Sequence, residues 1–122
     1  MLGHEAVGQV VAMGPAAQGL RMGQRVGIGW TAGSCLHSRP CKSGDQHLCA
    51  QAQPTIIGHR GGFANHVRSH WVWAIPLPDG LAFADAGPLL CGGITVFNPL
   101  AMFAKPTNRV GIVGIGGLGR MG

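Results

Sequence analysis

Residues 34–49 read SCLHSRPCKSGDQHLC and hold three of the chain's four cysteines, Cys35, Cys41 and Cys49. They lie in a longer stretch, 31–54, that has no apolar period and is rich in Cys, Ser, Gly and Pro. A loop of that length inside a compact domain has to be held by something other than a helix or a ladder. Three thiols at C-x5-C-x7-C spacing offer a means, since thiolates are good zinc ligands. A closed structural zinc site takes four ligands. His37 and His47 lie within the loop as substitutes, and position 38 is Ser38, whose neutral hydroxyl is a poor ligand. The spacing alone leaves three readings open: a zinc site, a zinc site short of one ligand, or three unrelated thiols.

The chain has 122 residues, enough for one modest domain with a core. Charged residues are only 11%, against about 25% in ordinary domains, and glycine is 22 of 122. That composition implies turns and closely approaching backbones rather than long surface helices. The net charge is +5, but the basic residues are scattered: Arg21, Arg25, Arg39, Lys42, Arg60, Arg68, Lys105, Arg109 and Arg120. A nucleic-acid surface needs a concentrated basic footprint, so no nucleic-acid partner is expected. The N-terminal MLGHEAVG has neither the basic start nor the apolar run of a signal peptide. Residues 86–104 are uncharged, yet they carry Pro88, Pro99, Gly87, Gly92 and Gly93. They read as buried core and loop, with no membrane partner. A cytoplasmic location follows, and there thiols bind metal or do chemistry more often than they form disulfides.

Strands are expected over 7–13, 24–30, 61–67 and 71–76, the second with glycines that mark close backbone approach or a bulge. A short helix is expected to start near Ala82 or Asp85, and a second helical piece over 93–103 to break at Asn98-Pro99. Residues 109–122 read as a strand running into a glycine turn in which Gly114, Gly116 and Gly119 form G-x-G-x-x-G. In a dinucleotide-binding unit these glycines make the tight turn, admit the pyrophosphate and let helix and strand pack. The first half is thus β-rich and the last fourteen residues follow the grammar of an α/β fold. In GHE at 3–5, His4 is a candidate metal ligand and Glu5 a ligand or its partner; in PLLCGGIT, Cys91 is a candidate ligand or a small buried hydrophobe. A catalytic zinc takes about three protein ligands and keeps one open position, and His4 and Cys91 supply two.

GHEAVGQV, GQRVGIGW, the cysteine loop, GGFANHV, WVWAIP, AGPLLCGGITVF and VGIVGIGGLG occur in one order. In that order they resemble the zinc-containing alcohol dehydrogenases, the medium-chain dehydrogenase/reductases. The resemblance is to the cinnamyl alcohol dehydrogenase-like branch, and within it the bacterial NADPH-dependent aldehyde reductases. The resemblance implies His4, Glu5 and Cys91 at a catalytic zinc, and Thr95 beside a nicotinamide. Gly114, Gly116, Gly117, Leu118 and Gly119 would form the pyrophosphate turn. The family's structural-zinc lobe has the pattern C-x2-C-x2-C-x7-C; Cys35, Cys41 and Cys49 match three positions and Ser38 stands at the fourth. The implied fold is a mixed, β-rich one. A partial GroES-like β-barrel domain covers 1–85, with the zinc lobe at 31–54. A helical linker follows over 86–108, and 109–122 form the first strand and glycine turn of a Rossmann domain. The implied cofactors are zinc and NADP(H), the substrate is a small aldehyde or alcohol, and the family is typically homodimeric. The family's other catalytic-zinc cysteine lies upstream of GHE, whereas this sequence starts three residues before His4. The expectation is therefore an internal fragment, inactive alone. The alternatives are one half of a split enzyme or a stand-alone zinc-binding module. Open sheet edges and exposed core are also expected.

Overall fold

A computed structural model of the chain describes residues 2–58 and 61–122. Of the scattered basic residues, Arg60 lies outside the described ones.

Strand β1 (Ala6–Gln9) pairs antiparallel with β2 (Arg25–Ile28), Ala6 opposite Ile28 and Gln9 opposite Arg25. The strand expected over 7–13 ends its ladder early. Val10 adds two bonds, donating to Gln24 O at 3.0 Å and accepting from Gly23 N at 2.8 Å, and then Val11 and Met13 face solvent. A two-residue strand β5 (Ile75–Pro76) borders β2 on its other side, giving the sheet order β1-β2-β5. Proline is tolerated there because the strand is at an edge. Strands β3 (Thr31–Gly33) and β4 (Gln53–Pro54) form a separate pair that brackets the cysteine loop. Among the described residues the strands do not close into a barrel, in keeping with the partial one expected.

Of the other expected strands, 61–67 is replaced by bends and turns, and 71–76 keeps only the two residues of β5. Residues 61–67 make isolated bonds, Gly62 N to Gly3 O at 2.6 Å and Phe63 N to Leu2 O at 3.0 Å, and a tight turn from Ala64 N to Gly62 O ends any ladder. In Trp71–Trp73 the apolar alternation belongs to a 3₁₀ turn, because the His70 ring accepts the Val72 N–H at 3.3 Å. Residues 109–113 are likewise not a strand: among the described residues none pairs with them, and Val110, Ile112 and Val113 are exposed. β-Branched composition cannot make a strand without a neighbour to bond.

The helical run starts where expected, at α2 (Phe83–Pro88), passes through a π-helical turn Leu89–Gly93, and continues as α3 (Ile94–Phe103). Pro99 does not break it. The carbonyl Pro99 cannot serve is that of Thr95, and both residues lie on the exposed side of the helix, where an unpaired carbonyl costs little. Nor is 86–104 buried core. Ala86, Gly87 and Gly92 are buried, but Ile94, Phe97, Met102 and Phe103 are exposed because nothing among the described residues covers that face. By length and composition alone, Phe83–Phe103 would reach across a membrane. The core is correspondingly thin: Val26, Ile28, Cys41, Cys49 and Ala86 are its buried apolar members, and among the described residues no large side chain is fully buried.

Two devices seat the helical run on the sheet. The Arg25 guanidinium donates to Pro78 O at 3.2 Å, Asp79 O at 2.7 Å and Leu81 O, and lies 4.5 Å over the Phe83 ring. The two glycines of RVGIG form the other. A Cβ on Gly29 would lie 2.7 Å from the Leu90 carbonyl oxygen, and one on Gly27 would lie 2.7 Å from the tip of the Leu90 side chain. The close approach expected from these glycines is what the backbone uses, and it places the residue after Leu90 against the sheet. Gly29→Ala is expected to destabilise the chain by about 1–3 kcal/mol, since rigid backbone must move. Gly27→Ala should cost less, because a leucine tip can rotate. Urea midpoints of the two variants check the order.

Candidate metal centres

The cysteine loop folds around its thiols. Leu36 adopts φ 60°, a left-handed conformation costly for a bulky residue, and so turns the chain until Ser38 N donates to Cys35 Sγ at 3.3 Å. Ser38 then enters α1 (Arg39–Lys42), with Pro40 in its first turn, and α1 carries the buried Cys41 inward. A 3₁₀ turn, Gln46–Leu48, delivers the buried Cys49, whose Sγ accepts from Gln51 N at 3.3 Å. The three sulfurs lie within 4.8 Å of one another. Cys35 Sγ is 3.8 Å from Cys41 Sγ and 3.5 Å from Cys49 Sγ, and Ser38 Oγ is 3.8 Å from Cys49 Sγ. A tetrahedron with zinc–sulfur bonds of about 2.3 Å has edges of about 3.8 Å, so the donor set fits zinc, with the serine hydroxyl beside the thiols. Among the described residues, His37 and His47 do not join the group. The His37 ring instead bonds the Cys35 carbonyl at 2.6 Å.

Hydroxyls and amides aimed at sulfur favour the thiolates. The Ser38 hydroxyl, followed by the His37 and Ser38 backbone groups, draws the Cys35 thiol down to about 6. Cys41 is also lowered, by the Ser34 and Ser38 hydroxyls against the opposing effect of burial; its contact with Ser34 Oγ is 3.4 Å.

A second group gathers residues far apart in sequence. Donor atoms of His4, Glu5 and Cys91 lie within 4.8 Å of one another. His4 and Glu5 precede β1, and Cys91 sits in the π turn, a feature that often marks functional sites. Glu5 Oε1 accepts the Gly92 N–H at a long 3.4 Å, and a Cβ on Gly87 would lie 3.4 Å from the Glu5 carbonyl. Cys91 is half-buried, not a core thiol, as is His4; Glu5 is exposed. A nitrogen, an oxygen and a sulfur donor at these separations are within a side-chain rotation of one zinc ion, which holds them at about 2.0–2.3 Å.

The glycine turn packs directly on this element. Gly114 has φ +89°, and a Cβ on Gly119 would overlap the Gly114 carbonyl oxygen, so neither position takes a side chain without a shift. Arg120 N bonds Gly116 O at 3.1 Å, and the Met121 sulfur lies 2.9 Å from where a Gly92 Cβ would stand. Leu118 also reaches Gly92, whereas Gly117 meets nothing close. Thr95 is exposed on α3, about one turn beyond Cys91.

Sequence reasoning missed three contributors. Ser34 faces Cys41, and its place beside Cys35 was a signal. Trp30 packs edge-to-face on His4, with centroids 5.1 Å apart and planes at 88°. Thr55, which bonds Gly29 and Trp30, is the one buried polar side chain among the described residues. Nothing local in the sequence points Trp30 or Thr55 at His4.

Removing the Ser38 hydroxyl removes the largest influence favouring the Cys35 thiolate. In the metal-free chain, Ser38→Ala should therefore move the Cys35 titration upward from about 6 toward the ordinary thiol range. Thiolate absorbance near 240 nm against pH, with Cys35→Ser to identify the transition, reads the shift.

Residues 1–79 match the alcohol dehydrogenase GroES-like domain family. The chain is 49% identical over 120 residues to an aldehyde reductase, AdhA, of Synechocystis, a match covering 98% of this chain and 36% of that protein. It is 44% identical over 131 residues to NADP-dependent alcohol dehydrogenase 6 of Saccharomyces cerevisiae, covering 100% of this chain and 36% of the relative. Among solved structures, a cinnamyl alcohol dehydrogenase of Sorghum bicolor superposes with TM-score 0.90 at 32% identity, over 97% of this chain and 36% of that one. The Helicobacter pylori enzyme complexed with NADP(H) superposes with TM-score 0.92 at 29% identity, over 99% and 38%. The chain thus spans about 36% of the length of the curated relatives it matches. On the match of its first 79 residues and the agreement of relatives and structures over nearly all of it, the chain belongs to the alcohol dehydrogenase GroES-like domain family, of the zinc-type medium-chain alcohol dehydrogenases.

Proposed function

We propose that this chain supplies the metal centres and the first cofactor turn of a zinc-dependent, NADP(H)-linked enzyme that interconverts small aldehydes and alcohols. The observation that carries the reading is the convergence of His4, Glu5 and Cys91. Cys91 lies 86 residues beyond Glu5, yet their donor atoms come within 4.8 Å. The names of the relatives, an aldehyde reductase and an NADP-dependent alcohol dehydrogenase, support the substrate class and the cofactor.

In this reading His4 and Cys91 hold the catalytic zinc, with Glu5 beside it or as a third ligand. Zinc held there would serve as a Lewis acid toward the carbonyl oxygen, with the hydride exchanged by a nicotinamide cofactor. Glu5 links the N-terminal segment to the π turn by accepting the Gly92 N–H. Gly114, Gly116, Gly117, Leu118 and Gly119 would offer backbone N–H groups to a pyrophosphate, and Thr95 would belong to the nicotinamide side of the site. Cys35, Cys41 and Cys49, with the Ser38 hydroxyl, hold a second, structural zinc. The organisation that goes with these roles is a partial GroES-like unit over 1–85, a helical linker over 86–108, and the start of a nucleotide-binding unit over 109–122. A cytoplasmic location and small-molecule partners, without membrane or nucleic acid, belong to the same reading.

Native mass spectrometry with added zinc is expected to show two ions per chain. One should be lost in His4→Ala or Cys91→Ala, and the other in Cys41→Ser. Grafting this chain in place of the matching 131 residues of the yeast relative should give alcohol-dependent NADP reduction that Cys91→Ala abolishes. Full zinc content in both His4→Ala and Cys91→Ala, or a graft indifferent to Cys91, would count against the reading.

A further inference from the structure

We propose that Trp30 is the positioning residue of the His4 imidazole, and that Thr55 locks Trp30 at the neck of the cysteine lobe. The inference rests on the reading of His4, Glu5 and Cys91 as metal ligands, and adds two residues outside that ligand set.

A metal-binding histidine usually has its ring fixed by a hydrogen bond at its second nitrogen. Among the described residues, His4 has no such bond. What sets its plane is the indole of Trp30, 5.1 Å away and near perpendicular, the edge-to-face geometry favoured by the aromatic quadrupole. Trp30 is 43% exposed, so core packing does not account for its orientation. Its backbone is held on both sides. Gly29 lies against the Leu90 carbonyl, and the Trp30 carbonyl accepts from Thr55 N at 2.7 Å and from Thr55 Oγ1 at 2.9 Å. The same hydroxyl is 2.6 Å from Gly29 O, so its single proton is shared between two adjacent carbonyls. At 4% exposure this is a buried polar contact that water does not replace easily.

The position of the pair links the two metal groups. Strands β3 and β4 form the neck of the lobe, Thr31 opposite Pro54 and Gly33 opposite Gln53. Cys35 follows β3 by two residues, and Ala52, just before β4, donates to the Cys49 carbonyl at 2.9 Å. Trp30 immediately precedes β3, and Thr55 immediately follows β4. The Trp30–Thr55 pair therefore stands where the lobe joins the rest of the fold, with the indole on His4.

Cobalt(II) titration of the full chain tests this, because the three-sulfur and one-sulfur sites differ in thiolate-to-cobalt absorption. Cys91→Ala and Cys41→Ser assign the two signals. Trp30→Ala is expected to weaken cobalt at the one-sulfur site by about ten- to a hundredfold while leaving the three-sulfur band unchanged. Trp30→Phe, which keeps an aromatic edge, should recover most of the loss. Thr55→Val should follow Trp30→Ala, and Thr55→Ser should follow the parent. Unchanged one-sulfur affinity in Trp30→Ala, with the three-sulfur band intact to show folding, overturns the proposal. A second readout does not need metal. In the metal-free chain the His4 ring protons should carry an indole ring-current shift, lost in Trp30→Ala and Thr55→Val and kept in Thr55→Ser. If the parent chain takes no cobalt at His4 and Cys91, the metal reading fails alone. The ring-current shift then decides the positioning role: Thr55-dependent shifts uphold it, and His4 protons at random-coil values overturn it.

Discussion

The close approach of β2 to the helical run is the constraint on which the rest depends. Gly29 lies against the Leu90 carbonyl with no space for a Cβ between them, and Gly27 accommodates the Leu90 side chain. Cys91 is the next residue after Leu90, so this contact decides where its thiol points. From the other side, the β1–β2 ladder fixes Ala6 opposite Ile28 and so brings His4 and Glu5 to the same place. Trp30, one residue beyond Gly29, meets His4 from the third side. With few large side chains buried, geometry here is set by backbone approach, the Arg25 clamp and the Thr55 bonds more than by a broad apolar core.

The cysteine lobe obeys different physics. It is organised around sulfur rather than hydrocarbon, and its turn at Leu36 is held by an N–H donated to a thiol. Serine in place of a fourth cysteine substitutes a neutral hydroxyl for a charge. That weakens attraction to a cation but also removes repulsion among thiolates, and the hydroxyl hydrogen-bonds the sulfurs that remain. The lowering of Cys35 and Cys41 expresses this balance. The distances between donors still match the edges of a zinc tetrahedron, so the change alters charge more than shape.

Legibility varied with how local the determining interaction was. The β1 and β2 cores and the start of α2 followed from apolar alternation and local helix signals, and the RVGIG glycines were recognisable as a place of close approach. Residues 61–67 and 71–73 carry strand-like patterns but lack partners; a turn at Ala64 and the His70 ring take the amides a ladder would have used. Residues 109–113 are β-rich in composition, yet a strand exists only where a neighbour receives its bonds. Asn98-Pro99 reads as a break, but on an exposed stretch of helix the lost bond to Thr95 is cheap and the helix continues.

By itself, the sequence determined the candidate donors: three cysteines in one loop, a GHE, a lone Cys91 and a G-x-G-x-x-G turn. It did so because donor chemistry belongs to residue types and short spacings. Only the tertiary structure decided which donors share a site. It brought Glu5 and Cys91 together, turned the His37 ring to the Cys35 carbonyl instead of the sulfur group, set the glycine turn against the π turn, and joined Trp30 to Thr55 at the neck of the lobe. Those choices depend on contacts across many tens of residues, where steric fit and shared hydrogen bonds act between segments that carry no local mark of one another.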